Sequence, residues 1–544
     1  MKKKLLYIIG VILAWGSLAS CSSDFLKEYS QDLARVQSVD DLKELLVGDC
    51  LMPKGLFDNS KSYYEVVNPN YLFLHFMSDE LQENLVTQDD VDYVGNKYRE
   101  VLFPYFTWQQ HLFLNQKGQS SYESNEDAHW TLAYEKINNC NMVLDAADQL
   151  KTTSEEEVEE VTKVKGELYF LRASYYLMLV NLYGKPYAPQ TASTDLSVPI
   201  KTTSNVEDKE YQRASVAAVY DQVVSDLNEA EKLLENASAP ASIYHPGIES
   251  VYILHSRVGL YMQDWETAEQ YAKKAIEKNA YLLDLKSFPE GSFPMNRANE
   301  EVVFSNGSSC LGNVLFQDPG NEDSYYEVSP VWYISDNLYA LFPKNDKRKT
   351  IYMTTEDDIT NHLPTYHKIE NRRSAYGIYK EVSDVFSIRT AEAYLNLAEA
   401  EAQMGNSQEA CSWLDKLRAK RVEDAEPLSL TGEELITFVR EERERELFLE
   451  GHRWFDLRRY TVDVNYPYSK VIEHSMSTFK TEDYQTYRSN VSRYRLEKND
   501  AAYTLDIPQD EKEFQPSLGS NERPVRRPFS SEDFSSGSDE DEDW

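Results

Sequence analysis

The stretch TGEELITFVREERERELFLEGHRWFDLRRY, Thr431 to Tyr460, constrains the fold of this chain more than any other. Leu435, Val439 and Leu449 mark a helical stripe, and Thr431 followed by Glu434 predicts a capping-box start. Glu442, Glu446 and Glu450 recur every four residues, a spacing that stacks three carboxylates on one helix face. Alone they would repel. Arg443, Arg445 and Arg453 lie within reach to neutralise them, and Asp456 with Arg459 continues the alternation past Gly451. Three readings compete: a solvated charged helix, a half-buried ion network that locks the helix against its neighbours, and a glycosidase carboxylate pair, since helical neighbours sit roughly 5–6 Å apart. The flanking arginines count against the third. They lower carboxyl pKa values, whereas a general acid must hold its proton.

Residues 1–20 read as a signal peptide. Lys2, Lys3 and Lys4 precede the apolar run Leu5 to Trp15, and Leu18-Ala19-Ser20-Cys21 carries the small residues of a cleavage site. The cysteine at its end resembles a bacterial lipobox, which makes Cys21 the expected lipid anchor. Each buried CH₂ contributes about 0.8 kcal/mol, so two or more acyl chains hold stably where one does not. No later stretch is apolar for long enough to span a bilayer. The net charge of −36 argues against nucleic acid and against docking on anionic lipid. Cys50, Cys140, Cys310 and Cys411 are far apart with no C-x-x-C pair, and are expected as buried free thiols.

The middle of the chain is helical, in pairs. Ser38 to Leu42 opens a short helix, and Trp130, Tyr134, Ile137, Met142 and Leu144 belong to a longer one. Helices follow over Val161 to Tyr183, stopped by Gly184 and Pro186, over Val216 to Leu234, and over Val251 to Lys278, broken near Gln263-Asp264. The last resembles a tetratricopeptide (TPR) repeat through Leu260, Tyr261, Trp265, Ala268, Tyr271, Ala272 and Ala275; a second copy falls at Ile388 to Val422. These copies are too widely separated for an uninterrupted solenoid. TPR-like helices are therefore expected over about 126–280 and 387–450, as a scaffold for something else. Arg172, Arg389 and Glu399 sit inside apolar faces and read as buried pairing partners.

Two long stretches lack a period, about 52–125 and 280–386, and loops of that length usually carry function. Aromatics crowd them, and with 38 Tyr against 21 Phe and 8 Trp the excess is tyrosine, whose apolar face and polar tip suit a sugar ring or a peptide backbone. Tyr71, Phe73 and Phe76 read as local core, and Trp332 as the beginning of a packed helix. The ligand candidates are Tyr93, Tyr98, Trp108, Tyr325 and Tyr326. Residues 530–544 read as an acidic disordered tail.

The order Glu442-Arg443, Glu446-Leu447, Glu450-Gly451, Arg453, Asp456-Leu457, Arg459 resembles the ER-x-x-EL-x-x-EG-x-R-x-x-DL-x-R signature of the SusD/RagB family. Gly166-Glu167, Leu171-Arg172-Ala173 and Tyr183-Gly184 are similar to its GEA-x-x-LRA…fG element; Arg389, Ala391-Glu392, Leu395 and Ala398-Glu399-Ala400 to its R-x-AE-x-x-L-x-x-AEA element. Leu505-Asp506-Ile507-Pro508, Glu511, Leu518 and Asn521 resemble its closing segment, with Gln515-Pro516 in place of Asn-Pro. The resemblance spans nearly all of residues 21–529.

It implies a mainly α fold, with TPR-like pairs as scaffold and the aromatic-rich loops as ligand face. It places Asp79, in Met77-Ser78-Asp79-Glu80, near that face, and makes Glu442, Arg443, Glu446, Glu450, Arg453 and Asp456 a structural ion network. The implied function is a surface-exposed outer-membrane lipoprotein that captures glycans and passes them to a SusC-like TonB-dependent transporter, with no cofactor and no catalysis. A surface-anchored glycoside hydrolase, a peptide-capturing RagB-type protein and a periplasmic helical-repeat assembly factor are the alternatives. The residues show no G-x-G-x-x-G, P-loop, G-x-S-x-G or H-E-x-x-H motif, and the nine histidines show no metal-ligand spacing.

Overall fold

The computed structural model describes residues 36–52, 56–57, 66–67, 71–85, 97–112, 114, 116, 128–205, 207, 209–307, 309, 311–315, 331–355, 362–369, 382–482 and 485–534. Helices dominate. The long ones are α1 (Ala128–Gln149), α2 (Glu155–Tyr183), α3 (Val216–Leu234), α4 (Ile248–Met262), α5 (Trp265–Lys278), α6 (Thr390–Gln403), α7 (Ser407–Arg418), α8 (Gly432–Leu447) and α9 (Arg453–Tyr460). Their ends follow local chemistry. Ser154 accepts from the Glu157 amide, with Glu155, Glu156 and Glu157 in the first turn of α2 against its positive end. Gln263, left-handed at φ 61°, closes α4, and Asp264 caps α5 by accepting from Thr267. Thr431 precedes α8 but makes no side-chain cap bond, so the expected capping box is absent.

The helices stack in sequence order, α1 on α2, α2 on α3, α3 on α4, α4 on α5. α5 then packs directly on α6, across more than a hundred residues of intervening chain. The gap between the two TPR-like pairs in sequence is thus no gap in space, because β2 (Val302–Ser305) and β4 (Ser387–Arg389) pair antiparallel and return the chain to the stack. Every residue of α6 is buried. It touches α4, α5, α7 and α8, and its alanines at 391, 393, 398, 400 and 402 permit that close approach.

The remaining strands lie outside the helical stack. β1 (Leu81–Glu83) pairs antiparallel with β3 (Trp332–Ile334), joining the two loop-rich stretches. Trp332 is fully buried on that strand; the helix Asp336–Ala340 starts only after it, where Ser335 accepts from the Leu338 amide. β5 (Ile472–Glu482), β6 (Gln485–Leu496) and β7 (Ser530–Asp533) form one antiparallel sheet with β6 central. The disordered tail expected from residue 530 therefore has an ordered start. Pairing there uses backbone groups, with Arg493–Glu532 at 3.2 Å across the strands, so it needs no apolar burial. Tyr71, Phe73 and Phe76 are buried, Phe73 stacking on Tyr105 with 4.5 Å between ring centres. Among the described residues no helix is long and apolar enough to cross a membrane.

Candidate functional site

Glu442, Glu446 and Glu450 are buried, and their partners come largely from elsewhere in the chain. Glu446 accepts from Arg348 at 3.0 Å, Arg389 at 2.6 Å, Arg421 at 2.9 Å and the Tyr352 hydroxyl at 3.1 Å. Glu450 accepts from Arg389 Nε at 2.8 Å and Lys368 Nζ at 2.6 Å. Glu442 lies 2.8 Å from both Arg348 and Arg445. Arg443 does not neutralise the stack; it donates to Asp456 and Asn396, each at 2.7 Å. The stack itself is interrupted. α8 stops at Leu447, and positive φ at Leu449 (54°) and Gly451 (76°) turns the chain, so Glu450 reaches Arg389 from a turn. Lys368 donates to the carbonyls of Glu446 and Phe448 at 2.8 and 2.9 Å, satisfying acceptors that the helix end leaves open.

Burial alone would raise these carboxyls, but charge wins. Arg348 and Arg445 hold Glu442 down at about 2, and Arg421, Arg389 and Arg348 hold Glu446 well below its usual range. Groups that are ionised at neutral pH and sealed from solvent make poor proton donors to a substrate. The cluster is a buried ion network that ties α8 and the turn after it to Arg348, Arg389 and Arg421.

A second charged knot lies at the far end of the same stretch. Arg453 donates to both oxygens of Asp79, at 2.7 and 2.8 Å, and lies 2.8 Å from Glu444; Lys470 donates to Asp79 at 2.6 Å. Despite burial, Arg453 and Lys470 hold the Asp79 carboxyl far below the ordinary carboxylate range. The Ser335 hydroxyl donates to the Asp79 carbonyl at 2.7 Å and so ties the second loop-rich stretch to the first. Above this knot is a cleft of 290 Å³ lined by Asp79, Leu81, Gln82, Ser335, Asn337 and residues 470–474. Its rim is polar: Asn337 and Glu473 are exposed, and Gln82 and Lys470 partly so. Gln82 is held by the Asp336 amide at 3.2 Å and by the Tyr333 hydroxyl. Beneath the rim, His474 is buried between Trp108 and Phe106, 4.4 and 4.0 Å between ring centres. Burial lowers its pKa to about 4, so it is neutral at neutral pH.

Two family descriptions match the chain: "Starch-binding associating with outer membrane" over residues 71–260 and "SusD family" over residues 317–523. The second range contains the whole 431–460 stretch. The chain belongs to the SusD/RagB family. SusD-like protein P38 of Formosa agariphila is 23% identical over 62% of this chain and 72% of its own length; SusD-like protein P2 of the same organism is 23% identical over 77% and 87%. Among solved structures, a SusD-like carbohydrate binding protein from Bacteroides vulgatus superposes with a TM-score of 0.63 at 20% identity, covering 89% of this chain and 98% of its own. A SusD superfamily protein from Bacteroides thetaiotaomicron gives 0.62 at 20% identity over 89% and 100%. These likenesses establish the mainly α, SusD-like fold.

Within this SusD fold the ligand candidates separate. Asp79 lines the cleft, but both its oxygens are already engaged. Trp108 is fully buried one layer below, with its Nε1 donating to the Met77 carbonyl at 2.9 Å. No ring face is left for a ligand, which corrects its assignment as a stacking residue: an indole stacked on His474 and closed off from solvent gains more from burial than from a wet surface. Tyr93, Tyr325, Tyr326 and Cys21, and the side chain of Tyr98, lie outside the described residues. Gln82, Asn337, Lys470 and Glu473 escaped the sequence reading, having neither motif nor aromatic character to mark them.

Proposed function

We propose that this protein is a cell-surface lipoprotein, anchored to the outer membrane through Cys21, that captures an oligosaccharide or polysaccharide and hands it unaltered to a SusC-like TonB-dependent transporter. The observation that carries the reading is the polar cleft over the Asp79–Arg453–Lys470 knot. Asn337 offers an amide at the rim, and Gln82, Lys470 and Glu473 beside it keep further donor and acceptor capacity while pairing with Tyr333 and Asp336, with Asp79 and with Arg495, the mix that hydroxyl-rich ligands require. The Asn84 amide donates to the Val331 carbonyl at 2.9 Å, so the two loop-rich stretches meet the β1–β3 pair at adjacent points. That junction is about two residues along β1 and β3, or roughly 7 Å, from the cleft. Tyrosine stacking beside polar contacts would supply micromolar affinity from individually weak terms. The family description of starch binding with outer-membrane association points the same way.

The test is a glycan array followed by calorimetry on protein beginning at Ser22. A glycan should bind, remain chemically intact after long incubation, and lose about tenfold in affinity, ~1.4 kcal/mol, for each of Gln82→Ala and Asn337→Ala. Release of shorter products would favour a surface glycoside hydrolase instead. Binding of peptides but no glycan would favour a RagB-type peptide carrier.

A further inference from the structure

Cys50 ends the π-helical turn Leu46–Cys50, Cys140 lies midway along α1, and neither side chain is exposed. The two segments are clamped together. Lys136 Nζ and Asn139 Nδ2 both donate to the Asp49 carbonyl, at 2.7 and 3.0 Å. The Cys50 carbonyl in turn accepts from the Tyr175 hydroxyl at 2.6 Å, and that hydroxyl accepts from Asn306 at 3.0 Å. Cys140 follows Lys136 by one helical turn and adjoins Asn139, so it faces the same segment. Both thiols are free in the structure, as the sequence leads one to expect; contact with Cys140, together with burial, pushes the Cys50 thiol up while the nearby Lys136 ammonium pulls it down. Among the described residues no group of three or more His, Cys, Asp or Glu could hold a metal ion.

We propose that Cys50 and Cys140 are joined by a disulfide in the mature protein, a cross-link tying the chain's entry segment to α1. The inference rests on the export reading of residues 1–20, because such a bond persists only in an oxidising compartment. The bond forms by exchange. One cysteine thiolate attacks an external disulfide and expels a thiolate; the second cysteine then attacks the mixed disulfide and expels the other. Two thiol protons are released, and the two electrons leave with the external disulfide, reduced to two thiols. Since both sulfurs are sealed in the finished fold, the exchange belongs to folding, before α1 closes over the turn.

The experiment uses the full chain in detergent, unfolded and reduced, then refolded with oxidised and reduced glutathione. The product is unfolded without reductant, alkylated with N-ethylmaleimide and digested for mass spectrometry. The expected result is one cross-linked peptide pair containing Cys50 and Cys140, both unalkylated, while Cys411 is alkylated. After reduction both become alkylated, and in Cys50→Ser the Cys140 thiol is alkylated from the start. Full alkylation of Cys50 and Cys140 in the unreduced sample, or a bond from either to Cys310 or Cys411, overturns the proposal. The buffer supplies the oxidant, so a negative result counts against the pair itself and leaves the export reading standing.

Discussion

Arg453 and Asp79, separated by 374 residues, are joined by two parallel hydrogen bonds of 2.7 and 2.8 Å. This fork fastens the first loop-rich stretch to the start of α9, and Asp79 lines the polar cleft beside it. Scaffold and candidate ligand face therefore share one ion pair. Removing its acid should be costly. Asp79→Ala leaves a buried guanidinium with Glu444 alone and is expected to lower unfolding free energy by about 3–5 kcal/mol. Lys470→Ala, which removes a partly exposed ammonium, should cost about 1 kcal/mol or less. Denaturant titration of both variants compares the two losses.

Trp108 and Gln82 should respond in opposite ways. Trp108→Ala empties a buried site between His474 and the Met77 carbonyl and is expected to lose about 3–5 kcal/mol of stability. Gln82→Ala, at the partly exposed rim, should leave the melting temperature nearly unchanged while weakening glycan binding. Thermal melting paired with calorimetry separates them; a Trp108→Ala protein of native stability would return Trp108 to the list of surface residues.

The ion network makes acid the weak side of this protein. Arg348 and Arg445 depress Glu442 from the ordinary 4.5 to about 2 against the cost of burial. A depressed carboxyl contributes stability that is fully present above the unfolded pKa and disappears as pH falls through the folded one. For Glu442 the loss runs from about pH 4.5 to about pH 2 and amounts to roughly 3 kcal/mol. Glu446, held down by three arginines, adds to it in the same direction. Melting temperatures should fall as pH drops below about 4.5, with a shallower fall in Glu442→Gln.

The α4–α5 crossing depends on a glycine. A Cβ at Gly259 would lie 2.7 Å from the Ala268 amide nitrogen, a contact with backbone that no rotamer can relieve. Gly259→Ala is expected to destabilise by about 1–3 kcal/mol through forced separation of the helices. Gly291→Ala is the contrasting control: its Cβ meets nothing, and only the positive φ of 74° opposes it. Circular dichroism melts of the two variants should rank them in that order.

The sequence by itself determined the helices, their order and many of their ends. α3 runs over the very residues that periodicity marks, and the break at Gln263-Asp264 is where a left-handed residue and a new cap divide α4 from α5. Such features are local, written in spacings of three and four and in the side chain that meets the first free amide. The charged stretch was legible as unusual, but its wiring was not. Glu446 takes its partners from positions 348, 389 and 421, and α8 ends before Glu450, so distant partners displaced the expected neighbours there, while Arg445 still pairs with Glu442 and Arg459 with Asp456. Only the tertiary structure could decide those, along with the cleft at Gln82 and Asn337, the burial of Trp108 and the strand at Ser530–Asp533. Each depends on which segments meet in space, and a buried charge takes whichever opposite charge the packing brings within about 3 Å, however far away it lies in the chain.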